Sequence, residues 1–325
     1  MDFIVCSADR MELRPFPDSG TMDFDLGGEN DVEITCNRGQ LQMGYWIMSP
    51  GTEYCALIEE MEVNTNTEEE TWRGNAIRKL LEQYIIQPPS GQDYRTASGD
   101  ANKILKSVLG NAFGGLFSFP DYESEITIET YQFDRYTDAL TGFTKMLATK
   151  NARLNIEVIQ GGANEAFEIM LSAVPIQDLS EEIEYSQDSR VNISIKESRR
   201  GINHMICLGK GELKDRQVVH LYAQLDGSIS QKQYYKGLQE RTAVYDNNNA
   251  EDLDDLIEGG TEKLQEDMNY KKMNLEIQDM DLQIGDIVGG RDYNSGLSLK
   301  KPVTQKIVKI ESGTVEIEYK VEGEE

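Results

Sequence analysis

The segment Gly201–Gly227, GINHMICLGKGELKDRQVVHLYAQLDG, reads as two strands about a charged turn. Ile202, Ile206 and Leu208 share one side of the first strand, and Val219, Leu221, Ala223 and Leu225 mark the second. Between them, LGKGELKDR supplies the glycines and charges of a turn. A second strand-rich segment, LQIGDIVGGRDYNSGLSLKKPVTQKIVKI at Leu282–Ile310, answers it. The intervening Asn249–Asp267 has helical periodicity, with Leu253, Leu256, Ile257 and Leu264 inward and a break expected at Gly259-Gly260. The expectation is a barrel or sandwich built from two separated pieces of sequence, with a helical insert between them.

Upstream, FIVCSA, MDFDL, DVEITCN, QMGYWIM and YCALIEEMEVN alternate apolar and polar residues at the spacing of a small barrel. A helix is expected over Gly74–Ile86, its stripe Ile77, Leu80, Leu81, Tyr84 and Ile85, stopped by Pro88-Pro89. Asp100 can cap a helix carrying Ile104, Leu105, Val108 and Leu109, with Gly110 beyond its end and the loop NAFGGLFSFP after it. Strand ITIE, a helix over Thr137–Lys150 with Tyr136, Leu140, Phe143 and Leu147 on one face, and strand RLNIEVI follow. FEIMLSAV is expected to return to the first barrel, VNISIKE to start the second and TVEIEYKV to close it. The fold class is therefore α+β and β-dominated, with two small β-barrel domains as a pseudo-repeat and inserted α/β and helical segments. Residues 1–88 form the first barrel with its flanking helix, completed by a strand near 165–180. Residues 89–165 form a small α+β domain, and 185–325 a second barrel with a helical insertion at about 246–272.

Composition sets outer limits. A chain of 325 residues with 38% hydrophobic and 28% charged residues can bury two or three compact cores. Thirty-two Lys and Arg against 58 Asp and Glu leave a formal charge of -26, which opposes a grip on nucleic-acid phosphates. An acidic wall instead suits a passage through which DNA slides. No apolar run reaches the roughly 18 residues of a membrane helix, and MDFIVCSADRMELRP lacks the basic start and apolar centre of a signal peptide. Neither secretion by signal peptide nor membrane spanning is expected. Cys6, Cys36, Cys55 and Cys207 are scattered on apolar strand patterns and read as buried thiols.

Chemistry-bearing residues are sparse. His204 and His220 both fall on strand patterns among apolar neighbours, where a packed, hydrogen-bonded imidazole is favoured over a catalytic base. The LGKGEL turn lacks the spacer and Lys-Ser/Thr pair of a phosphate loop. Asp279 with Asp286, or Glu53 with Glu59, are carboxylate pairs that proximity in sequence alone recommends. The acids of NAEDLDDLIEGGTEKLQED lack the alternating oxygen ligands of a calcium loop. No catalytic, cofactor-binding or metal-ligating residue is assigned. A cell-wall glycan hydrolase and a carbohydrate-binding sandwich are the alternative functions, the latter disfavoured by having only Trp46 and Trp72 as indole platforms.

Several segments together carry a resemblance that spans nearly the whole chain. They are TEYCALIEEMEV before WRGNAIRKLLEQYIIQPP, then YQFDRYTDALTGFTKMLATKNARLNIEV, then RRGINHMICLGKGELKDRQVVHLYAQLDGSI and LQIGDIVGGRDYNSG. This combination resembles the tail hub family of siphophages and related prophages. Its most specific parts are Arg199-Arg200-Gly201-Ile202-Asn203-His204, the GKGEL turn with Arg216, and the Gly285-Asp286 turn. The resemblance implies a homotrimer at the tail tip in which two similar barrels per subunit make a pseudo-sixfold ring joining the hexameric tail tube to the threefold tip. It implies tail tube, tape-measure and tip or fibre proteins as partners, DNA passing through the lumen without specific binding, and a virion location after synthesis in the host cytoplasm. It supplies no catalytic residues and no cofactor. Because the chain ends at VEGEE just after its last expected strand, the hub alone is expected, with any lytic function elsewhere.

Overall fold

A computed structural model describes residues 1–63, 65–110, 112–162, 165–180, 191–198, 200–250, 252–268, 271–277, 282–291, 298–311 and 313–321. Two compact units emerge. One comprises Met1–Val191, Glu276–Val288 and Pro302–Lys320, and the other Asn192–Leu275, Gly289–Lys301 and Val321–Glu325. The class is the expected α+β with strands dominant.

The largest sheet is built on alternation. Strands β1 (Ile4–Cys6), β2 (Glu12–Pro15), β3 (Thr21–Leu26), β4 (Asp31–Asn37), β5 (Trp46–Met48), β6 (Cys55–Val63) and β7 (Glu69–Ala76) come from the N-terminal segment. In β3, Met22, Phe24 and Leu26 are buried while Thr21 and Asp23 face water, and in β4 Val32, Ile34 and Cys36 are buried. Three distant strands join them, namely β19 (Ile287–Arg291), β20 (Ser298–Glu311) and β21 (Thr314–Val321). Among the described residues the order is β19-β20-β3-β4-β7-β6-β5-β1-β2, with β21 also on β20. Lys306–Ile310 runs antiparallel to Met22–Leu26, placing Val308 against Phe24 and Ile310 against Met22.

That pairing corrects the split-barrel expectation. Leu282–Ile310 was expected to continue the sheet of Gly201–Leu225, and TVEIEYKV to close the same barrel. Instead β20 completes the N-terminal sheet and β21 lies on β20. The physical reason is the core beneath β3. Val308 and Ile310 cover the cluster of Phe3, Phe24, Ile34 and Tyr54, which the seven local strands leave open on that side. Lys306 faces the same side, its Nζ 3.2 Å from Gln283 Oε1 and 5.3 Å from the Tyr54 ring centre.

The flanking helix α1 is shorter than expected, Ile77–Glu82, because Gly74–Ala76 stays in β7. A Cβ at Gly74 would overlap the Leu57 carbonyl oxygen, so the glycine permits the close pairing of β6 and β7 at their bulge. In the remainder of this unit β8 (Thr96–Asp100) pairs with β10 (Thr127–Gln132), and helices α2 (Ala101–Leu109) and α3 (Ala139–Ala148) pack beside them. Both helices start at aspartate caps. Asp100 Oδ1 accepts from Lys103 N at 3.2 Å, and Asp138 Oδ1 from Thr141 N at 2.8 Å. Phe143 and Leu147 of α3 are buried as expected, whereas Tyr136 precedes the helix and is 58% exposed. Strands β9 (Phe117–Ser118), β11 (Ala152–Ile159) and β12 (Glu168–Pro175) make a three-stranded sheet, β11-β12-β9. FEIMLSAV therefore does not complete the first barrel. One edge of β12 pairs with β11 over all eight residues and the other meets β9 at Ile169 and Met170, so the strand belongs to this sheet. The turn at Gly285-Asp286 is locked onto β11, with Arg153 Nε 2.8 Å from Asp286 Oδ1 and Nη2 3.2 Å from Oδ2. Gln177 N donates to the same carboxylate at 3.0 Å.

The second unit is a sheet covered on one face by a helix. Strand β13 (Val191–Glu197) pairs with β18 (Lys271–Ile277). Strands β14 (His204–Leu208), β15 (Val218–Ala223), β16 (Ile229–Ser230) and β17 (Thr242–Asp246) have the order β16-β15-β14-β17. The hairpin of Gly201–Gly227 is present as β14 and β15, with Cys207 opposite Val219 and Met205 opposite Leu221. These four side chains, not Ile206 and Leu208, meet helix α4 (Leu253–Met268), whose Leu256, Gly260 and Leu264 face them. Alternation alone does not say which face of a strand is covered. The helix runs unbroken through Gly259-Gly260, against expectation. A Cβ at Gly260 would overlap Cys207 Sγ, so this glycine serves close helix-sheet packing instead of a break, and Leu253 is 46% exposed instead of inward. The segments 181–190, 278–281 and 292–297, which include Asp279 and part of the second-barrel reading, lie outside the described residues, as does Arg199.

Two aspartates should separate cleanly by urea denaturation. Asp286→Ala removes the buried carboxylate from half-buried Arg153 and is expected to cost about 3 kcal/mol. Asp138→Ala removes only a helix cap and should cost about 1 kcal/mol. Equal losses would mean that the Arg153 pair does not fasten the turn to β11.

Candidate functional site

Two surfaces concentrate the chain's polar chemistry, and each is set by strand register. The first is the outward face of the ten-stranded sheet. Successive pairings place Lys309 beside Asp23, Asp23 beside Glu33, Glu33 beside Arg73 and Arg73 beside Glu60, one charged residue per strand across β20-β3-β4-β7-β6. Arg73 gathers three carboxylates, with Nε 2.7 Å from Glu33 Oε2 and Nη1 3.1 Å from both Glu60 Oε1 and Glu62 Oε2. At the other end Lys309 Nζ lies 3.7 Å from Glu318 Oε2. Acids outnumber bases in this row, and its carboxyls feel one another. Partial burial, then Asp25, Glu29 and Asp23, hold the Asp31 carboxyl above its usual range, with Lys79 opposing. Burial likewise lifts Asp23, with Lys309 pulling down and Asp25, Glu33 and Glu318 pushing up.

The second surface is the uncovered face of β17-β14-β15. The registers make a grid of three rows, Thr242-His204-Tyr222, Val244-Ile206-His220 and Asp246-Leu208-Val218. His204 is buried and stacked on Tyr222, ring centres 4.3 Å apart. Its Nδ1 lies 2.8 Å from Glu240 Oε1 and 3.0 Å from Thr242 Oγ1, and its Nε2 lies 2.8 Å from His220 Nδ1. A carboxylate only accepts, so His204 Nδ1–H donates to Glu240, and Nε2 shares a hydrogen bond with His220 Nδ1. This chain of groups ends at exposed His220, beside Ile206.

Polar residues of the sequence motifs bind backbone. Asn203 Nδ2 donates to Gln239 O at 2.7 Å and its Oδ1 accepts from Arg241 N at 2.8 Å, which fixes the turn before β17. Arg216 Nε donates to Gly209 O at 3.0 Å and Nη2 to Asn248 Oδ1 at 2.6 Å, with Asp246 as a further partner, which fixes the LGKGEL turn. Asp286 is held by Arg153. Of the other carboxylates singled out by sequence, Glu53 is buried in a two-pronged pair with Arg78, Nη2 to Oε2 at 2.9 Å and Nε to Oε1 at 3.3 Å, while Glu59 is exposed beside Asn75. A polar recess of about 100 Å³ lies beside Glu53, Asn155, Gln283 and Lys306. Trp46 and Trp72 are buried, which removes them as sugar platforms. All four cysteines are buried free thiols. Burial, then Glu12, pushes Cys6 to about 12, and burial takes Cys207 to about 11, so neither is a thiolate at neutral pH. Among the described residues no three His, Cys, Asp or Glu side chains converge on a metal position, and no helix is long and apolar enough to cross a membrane. Sequence reasoning missed the charged row across five strands, because its members are spread from Asp23 to Lys309 and only the β3-β20 pairing aligns them.

No protein-family model and no curated protein matches this sequence. Among solved structures, the chain is similar to prophage tail protein gp18 from Listeria monocytogenes EGD-e, at 13% identity over 99% of this chain and 93% of that one, TM-score 0.48. It is similar to a tail protein from Neisseria meningitidis MC58, at 10% identity over 99% and 97%, TM-score 0.48. The 43 kDa tail protein of prophage MuSo2 from Shewanella oneidensis aligns at 9% identity over 99% and 97%, TM-score 0.49. The fold class itself stands on the strand order and registers above.

The crowded carboxylates predict a pH signature. Asp31 has a folded-state pKa above its unfolded value, so its charged form disfavours the fold, in full at neutral pH. The penalty fades as pH falls through the raised value, where the folded state holds the extra proton. Asp31→Asn should therefore raise the urea midpoint at pH 7, with the gain shrinking toward acid pH. A variant that loses stability at pH 7 would show that Asp31 is favourably paired.

Proposed function

We propose that the chain is a structural component of a phage or phage-derived tail, and within it the trimeric hub at the distal end. In this reading three subunits adapt the hexameric tail tube to a threefold tip and border the path by which DNA leaves. Tube, tape-measure and tip or fibre proteins are its neighbours, and the virion tail tip is its location. The observation that carries the reading is the use made of the motif residues on which the family resemblance rests. Asn203, His204, Arg216 and Asp286 each hold a turn or strand through hydrogen bonds or ion pairs. Residues so committed set shape, which is what a ring component requires of them.

The charged row supports the same reading from a second side. A wall where Asp23, Glu33, Glu60 and Glu62 outnumber Arg73 and Lys309 repels a phosphate backbone, and the chain's formal -26 extends that repulsion. DNA passing such a surface finds few cations to grip, so passage is favoured over binding.

Sedimentation equilibrium tests the assembly directly. Three chains of 36.7 kDa predict a particle of about 110 kDa, and no retention of double-stranded DNA at low salt. A monomer at every concentration, or tight DNA retention, would contradict the hub reading. Muropeptide release by the purified chain would instead favour the hydrolase.

A further inference from the structure

Beside its polar row Thr242-His204-Tyr222, the grid on β17-β14-β15 carries an aliphatic patch in an acidic protein. Val244 is 61% and Val218 49% exposed, flanking half-buried Ile206 and Leu208. Two fully exposed leucines stand at the ends of the same strands. Leu213 is 95% exposed at a φ of 52° on the turn that Arg216 fixes, and Leu238 is 103% exposed on the turn that Asn203 fixes. A solvated turn gains nothing from displaying leucine at a left-handed φ, and both tips sit on backbone held by buried or half-buried side chains.

Charge says what covers this surface. Residues 200–250 carry seven Lys or Arg and five Asp or Glu, a formal +2, so the rest of the chain carries -28. Two copies approaching by most of their surface bring carboxylates together. At the grid the acids are Asp246, already paired with Arg216, and Glu240, held by His204, while exposed Lys210, Lys214, Lys236 and Arg241 offset Glu212 and Asp215 on the turns around it. Copy-to-copy approach is therefore least opposed here, and the rim attracts the acidic surface that any neighbouring copy offers. Aliphatic centres with few charges are the anatomy of interface cores.

We propose that the β17-β14-β15 face, with Val244, Ile206, Leu208 and Val218 at its centre and Leu213 and Leu238 at its ends, is the surface by which one copy of this chain docks on a second copy. The proposal rests on the multimeric reading above and adds the face that makes the contact. Being near-neutral on one side and acidic on the other, the contact is of the head-to-tail kind that closes rings.

The test is sedimentation of the full chain and two double variants. Val218→Glu/Val244→Glu gives the face the charge of the remainder, and Val218→Thr/Val244→Thr keeps β-branched shape while removing apolar character. Circular dichroism checks that each folds, and Tyr122→Glu, 69% exposed in the other unit, is the control. The expected result is an oligomer for the unaltered chain and the control, an at least tenfold weaker association for the Thr pair, and a monomer for the Glu pair. Oligomers that persist undiminished in both double variants overturn the proposed face and leave the trimeric reading standing. A monomeric unaltered chain at every concentration overturns both.

Discussion

The antiparallel pairing of Lys306–Ile310 with Met22–Leu26 is the contact on which the first unit depends. It joins segments some 280 residues apart, so its closure entropy is met only by what it buries. On the inner side Val308 and Ile310 roof Phe24, Phe3 and Tyr54, and the Lys306 stem crosses the same core. On the outer side the register that buries Val308 also sets Lys309 beside Asp23 and Glu318. Shifting β20 by one residue would turn Ile307 and Lys309 inward and undo both faces together. Core and charge row are two consequences of one register.

The second unit solves a smaller problem in a different way. Its sheet is covered by one helix, and the close approach at Gly260 lets Leu256 and Leu264 bury Met205, Cys207 and Leu221. Among the described residues no layer covers the other face, and Asn203 and Arg216 hold the turns at its ends. An open aliphatic face at a stretch of +2, in a chain of -26, is where a crowded acidic protein can meet its own kind.

Much of this is legible in the sequence where the signal is local. The cap at Asp100 precedes a helix that forms, a helix lies within Thr137–Lys150, the strands Asp31–Asn37 and Arg153–Ile159 alternate as read, and the hairpin at Gly201–Gly227 exists. What escapes is partner choice. KIVKI fits any sheet needing an alternating edge, and only the exposed flank of Phe24 decides that it joins β3. Gly259-Gly260 reads as a break because glycine weakens helices, but the sulfur of Cys207, fifty residues away, gives it another use. His204 and His220 were legible as strand residues, whereas the link through Glu240 depends on a parallel pairing that no local pattern announces.

Native-state hydrogen exchange of the folded chain tests the central claim most directly, that the late strand belongs to the N-terminal sheet. Amides of Lys306–Ile310 should open with those of Met22–Leu26, at one shared free energy, and independently of His204–Leu208. Exchange of Lys306–Ile310 in step with His204–Leu208 and out of step with Met22–Leu26 would contradict the sheet order, and with it the charged face that this order assembles.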